Sequence, residues 1–285
     1  MRSLLIHLRL NFQMLLAPIF LWGMLLGGGH VTWRTLVAFL AFHIFLYGGG
    51  TAFNSYYDRD EGPIGGLEAP PPVILALLPF SLGMLSIGLA LSVLVNPPFV
   101  ILYAVLYVMM VGYSQPLTRW KARPWPALIT VVTGQGFGGF LGGWFGVNAT
   151  TARLGTWEGV AGLASAAIMT LGFYPLTQLY QIDEDRRRGD MTPAVVWGAE
   201  RCFWIAVACF FCGAVVMGTL LAIRFTLLEG VTAALVLVAL SAATLAWRKR
   251  FSTNSIRQNF HWLMRVNAGG AGAFGAYLLV RLALS

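Results

Sequence analysis

Long apolar stretches separated by short polar breaks run along almost the whole chain. Nine of them can be set off, at 12–29, 35–57, 73–95, 98–113, 125–147, 159–182, 196–223, 227–247 and 266–284. Val73 to Val95 is long enough to cross a hydrocarbon core as a helix, which takes about 20 residues. The fourth stretch is short for a crossing and the seventh is long. Asn96-Pro97-Pro98 closes one stretch and opens the next, because proline stops a helix yet suits its first turn. The pattern predicts an all-α integral membrane protein, nine transmembrane helices in a single membrane domain over 1–285.

Composition agrees with that reading. Hydrophobic residues make up 58% of the chain and charged ones only 11%, against about 25% charged in soluble domains. A surface facing water needs those charges; a surface facing lipid does not. The 33 glycines then suggest close helix packing rather than loops. The run from Gly134 to Gly146 marks a helix pressed on its neighbours beside a cavity. Cys202, Cys209 and Cys212 share one apolar segment and read as buried thiols. Met1 to Leu10 is basic, but the apolar stretch after it reads as a first span rather than part of a cleaved leader.

Charge gives the two sides. Place the amino terminus in the cytoplasm. Of the 19 basic residues, all but Arg34, Arg153, Arg224 and Arg281 then fall inside. This is the positive-inside bias. It accounts for the net charge of +8 without nucleic acid as a partner. An inner or plasma membrane is expected, with polar loops at about 58–72 and 183–195 facing the cytoplasm. Of the 11 acidic residues, all but Glu158 and Glu229 share that side. The positive-inside rule does not explain an acidic bias, so it needs a chemical cause.

The acids gather at two helix ends. Asn54 and Asp58 lie four apart, one helical turn, followed by Asp60, Glu61 and the breakers Gly62-Pro63. Gln181 and Asp185 repeat the spacing after the sixth stretch, with Asp183 between them. Facing carboxylates suit magnesium, a hard ion that takes oxygen ligands in octahedral order. With a diphosphate between the clusters, the ions offset phosphate charge and stabilise it as a leaving group. The bland alternative is a pair of solvated helix ends balanced by Arg186, Arg187 and Arg188.

These residues resemble the UbiA superfamily of intramembrane prenyltransferases. Its first motif has Asn, an acid four later and another four beyond; here these are Asn54, Asp58 and Gly62, so Asp60 or Glu61 must substitute. Its second motif places acids at alternate positions; here these are Gln181, Asp183 and Asp185, and the first is an amide. Tyr113-Ser114-Gln115-Pro116-Leu117-Thr118-Arg119-Trp120-Lys121 is similar to a segment of chlorophyll-synthase-like members, with Leu117 for their second proline. The resemblance implies Asn54, Asp58, Asp60, Asp183 and Asp185 as metal ligands, with Glu61 and Gln181 as substitutes. It implies Arg119, Lys121 and Arg186 as diphosphate ligands.

It further implies a helical bundle around a central cavity. A prenyl diphosphate would sit at the polar mouth, its tail among apolar helices. An aromatic or alcohol acceptor would attack the prenyl carbon as diphosphate departs, with lipid around. Tyr57 and Tyr174 are candidates to face the developing cation. Gln135 and Gln178, amides inside apolar spans, are candidates for the cavity wall or for helix-to-helix bonds. Two other classes remain: a non-catalytic isoprenoid-binding protein, suggested by the acid missing at each cluster, and a small-solute transporter.

Overall fold

The computed structural model describes residues 2–284, and among these it is helical with no extended strand. Nine long helical rods make the bundle: α1 Leu10–Gly27, α2 Trp33–Asp58, α3 Leu77–Ser92, α4 Pro97–Ser114, α5 over 124–147, α6 Trp157–Thr177, α7 Pro193–Arg224, α8 Leu227–Arg250 and α9 Ile256–Leu284. By length and apolar composition six helices among the described residues qualify to cross a membrane; those containing α3, α5 and α9 are not among the six. The expected third stretch, 73–95, shrinks to the 16 residues of α3 because the chain through Pro70, Pro71 and Pro72 stays irregular. The overlong seventh stretch is explained by Gly198, whose φ of 77° breaks α7 one turn in.

Local chemistry starts the helices. Thr32, Asn96, Thr156 and Thr226 precede α2, α4, α6 and α8, and each side chain accepts a backbone N–H of the first turn. These bonds satisfy donors a helix leaves free. All four lie at the bundle end opposite the acid clusters.

Two rods are not uniform. α2 widens to π-helical turns over Ala41–Gly48, and α5 does so over Val132–Phe137. Such turns leave carbonyls off the regular ladder. One of them, Gly134 O, accepts the Tyr47 hydroxyl at 3.0 Å, so the two irregular segments meet. α1 and α5 cross on glycine. A Cβ on Gly23 would stand 1.8 Å from Phe140 O, and one on Gly143 would stand 1.7 Å from Phe20 O. Cys202 is buried, but Cys209 is half-buried and Cys212 exposed on the outside of α7, a correction to three buried thiols. The bundle encloses a cavity of about 520 Å³ walled by α1, α2 and α4 to α9.

Candidate functional site

The polar mouth of the cavity is built from three loops. The first follows α2. Asn54 Nδ2 donates to Asp58 Oδ2 at 2.6 Å and to Ser114 Oγ of α4 at 3.0 Å. One helical turn therefore sets the amide and the carboxylate side by side. Arg59 ends the helix in the left-handed region, φ 50°, and the chain turns so that Asp60 also lines the cavity.

The second loop follows α4. Arg119 adopts φ 37° and leads into a single 3-10 turn, Trp120–Ala122. That turn buries Lys121 and carries its ammonium onto Asp58. Arg119 forks onto Asp190 with bonds of 3.0 and 2.8 Å. Burial works against the Arg119 charge, but the fork outweighs it and raises the guanidinium above its ordinary pKa.

The third loop follows α6. The helix tightens to a 3-10 turn over Leu179–Gln181, then runs as a short helix, Ile182–Arg188, to Gly189 at φ 75°. The helical period then decides which residues share a face. Gln181 and Asp185 line the cavity, and Thr192 Oγ1 donates to Asp185 Oδ2 at 3.0 Å. Asp183 turns away: its side chain is 74% exposed, 3.8 Å from Arg186, which also points outward. Arg188 faces inward and closes the mouth, reaching Asp60 at 2.6 Å and Glu184 at 2.5 Å. Met191 N–H donates to Ala122 O at 3.0 Å, tying the second loop to the third.

Among the residues singled out from the sequence, Asn54, Asp58, Asp60, Lys121, Gln135, Tyr174, Gln178, Gln181 and Asp185 stand in the cavity wall. Arg119 stands behind it, holding Asp190. Glu61 is exposed, its backbone N–H donating to Glu184 Oε1 at 3.2 Å. Tyr57 packs on Phe53 and Tyr56, away from the cavity. Among the wall residues at the mouth with no role assigned from the sequence are Arg9, Arg188, Asp190 and Thr192. Arg9 is buried, donating to Ser55 Oγ at 2.7 Å and lying 4.0 Å from Asp60. Arg188 had a signal in the sequence, since it stands one turn after Glu184.

Below the mouth a polar relay crosses the wall. Gln178 Nε2 donates to the Tyr174 hydroxyl at 2.9 Å, which bonds the Tyr113 hydroxyl at 2.9 Å. Gln178 Oε1 accepts Ala194 N–H at 3.3 Å. Gln178 is thus satisfied inside the bundle and fixes two phenols against the cavity.

The mouth offers oxygen donors only, the kind magnesium takes. Asp58, Asp60 and Asp190 lean on Lys121, Arg188 and Arg119, and Asp185 on Thr192. Among the described residues, no three His, Cys, Asp or Glu side chains are spaced to enclose an ion by themselves. Magnesium seldom needs such a cage, because substrate phosphates and water complete its shell. The donor set therefore fits an ion shared with a diphosphate.

The model of the UbiA prenyltransferase family matches residues 16–268. A UbiA homologue from Archaeoglobus fulgidus bound to GPP and Mg2+ superposes with a TM-score of 0.68 at 17% identity, over 97% of this chain and 99% of that one. An apo homologue from Aeropyrum pernix K1 gives 0.67 at 17%, over 94% and 98%. A structure addressing digeranylgeranylglyceryl phosphate synthase gives 0.64 at 15%, over 99% and 98%. A search of curated proteins found no match.

Proposed function

Because the chain belongs to the UbiA prenyltransferase family, we propose that it transfers a prenyl group from an isoprenoid diphosphate to a hydrophobic aromatic or alcohol acceptor, with magnesium. The observation that carries the reading is convergence: Asp58 and Asp60 from one helix end, and Asp185 and Asp190 from the other, line one cavity mouth, and Arg188 bridges to Asp60. The bound A. fulgidus homologue lends the ligand class. The positive-inside bias supports a cytoplasmic mouth and amino terminus.

Asp58, Asp60 and Asp185, with Asn54 and Gln181, would hold magnesium together with the diphosphate. The ion supplies Lewis-acid neutralisation of the leaving diphosphate. Lys121, Arg188 and Arg9 bring positive charge to the same oxygens. They must release their carboxylate partners as the ligand enters. Tyr174, Tyr113 and Tyr47 line the cavity where the allylic carbon would lie. The C–O bond breaks with its electron pair going to diphosphate. A nucleophilic acceptor atom bonds the allylic carbon and gives up its proton to the diphosphate. Apolar walls exclude water that would otherwise capture the carbon.

The test is turnover of labelled allylic diphosphates by membranes holding the protein, across aromatic and alcohol acceptors. Chelating divalent ions should stop product formation and added magnesium should restore it. Asp58→Asn and Asp185→Asn should each lower kcat by about 10²- to 10³-fold, the scale for losing one group that stabilises transition-state charge. Unchanged turnover in both variants would overturn the assignment.

A further inference from the structure

The cavity continues far below the acids. Its wall follows α6 from Thr177 to Ala166 and α8 from Leu240 to Leu228. Both helices start at the end away from the mouth, at Trp157 and Leu227. At 1.5 Å per residue, the two lined stretches together cover on the order of 30 Å, a whole hydrocarbon core. Between the ends the lining is mostly apolar, with Ile19, Trp22, Met217, Leu221 and Leu237 among its residues and Gln135, Thr170 and Asn267 as polar exceptions.

At the far end polarity returns. Glu229, on the first turn of α8, accepts the Tyr277 hydroxyl of α9 at 2.7 Å and Arg281 Nε at 2.7 Å. The second Arg281 nitrogen pairs with its other oxygen, which also accepts Thr226 Oγ1 at 2.8 Å. Glu229 and Tyr277 line the cavity, as does Leu228, which is nonetheless 75% exposed. The wall at that level has the cavity on one face and the outside on the other. The ion pair and the phenol span from α8 to α9 there.

We propose that Glu229, Tyr277 and Arg281 form a strap that limits the prenyl tail, and that the donor is a long-chain allylic diphosphate reaching from mouth to strap. The inference rests on the prenyl-transfer reading and names the donor class of that site. An extended chain advances about 1.2 Å per bond, so a four-bond isoprene unit covers about 5 Å, and roughly five units fill the length left once the diphosphate takes about 5 Å at the mouth. A longer tail must push apart a carboxylate, a guanidinium and a phenol that satisfy one another, and lose those bonds to pass. A much shorter tail leaves the lower cavity unfilled.

The experiment uses the full chain in lipid nanodiscs with magnesium and all-trans allylic diphosphates of increasing length. It reads kcat/KM for each donor, and binding of matching thiodiphosphates that do not ionise. In the natural protein both quantities should rise to about five units, and kcat/KM should fall about tenfold or more beyond, the discrimination a filled apolar pocket gives. Tyr277→Ala, Tyr277→Phe and Arg281→Gln should move the fall to longer donors. Glu158→Gln should leave the profile in place; it breaks pairs with Arg153 and Arg224 at the same end, away from the cavity. An unmoved profile in the folded strap variants, or a natural protein preferring donors of one or two units, would overturn the strap. If no donor of any length binds or reacts, the prenyl-transfer reading falls and takes the strap with it.

Discussion

Arg186 and Arg188 stand two positions apart on one short helix and serve different surroundings. Arg186 is 58% exposed beside Asp183, whereas Arg188 is 22% exposed and touches Asp60 from another loop. On that geometry Arg188→Gln should raise KM for the donor about tenfold or more, since a bond to a charged group contributes about 1.5–3 kcal/mol. Arg186→Gln should raise it less, and steady-state kinetics on the two proteins decides. Sequence spacing paired Gln181 with Asp185, and the family resemblance put Asp183 and Arg186 in the same set. Within the helix Ile182–Arg188, Asp183 and Asp185 lie two residues apart and so on opposite faces. Arg9 escaped notice for a different reason. It reads as one more basic residue before a first span, and only the fold sets it beside Ser55 and Asp60.

Helices were legible where apolar runs were long. The positions of α2, α4, α6 and α8 follow from those runs, and the structure adds the capping side chains of Thr32, Asn96, Thr156 and Thr226 that open them. The runs left their internal geometry hidden, as in the π-helical turns of α2 and α5. Those turns depend on partners from other helices, such as Tyr47 meeting Gly134 O. The glycines of α5 were read as a packing face, and the crossing with α1 gives that face a specific partner. Gly143→Ala should therefore lower stability by about 1–3 kcal/mol, because a methyl added there meets backbone rather than a yielding side chain. Thermal unfolding in detergent measures it. Gly155→Ala, with open space around it, is the matched comparison.

Across the whole molecule the feature to test is the docking of two loops far apart in sequence. Asp60 and Arg188 are the contact, at 2.6 Å. Asp60→Asn, Arg188→Gln and the double variant, compared by unfolding without diphosphate, should give a coupling of about 0.5–3 kcal/mol. Additive losses would mean that the loops do not depend on each other. Ligand entry has to separate this pair and the Lys121–Asp58 pair. Saturating donor with magnesium should therefore reduce the coupling measured under the same conditions. The mouth is held together by the same groups that would hold the substrate.

The amino-acid order alone set the helical membrane class, the limits of the apolar runs and the two acid clusters, because each depends on neighbours within a turn or a span. Family resemblance came from those short motifs. The tertiary structure decided which members of each cluster face inward, that Arg188 and Arg9 join them, and that the cavity extends to Glu229 and Tyr277. Those choices rest on contacts between distant helices, whose relative rotation no short-range pattern encodes.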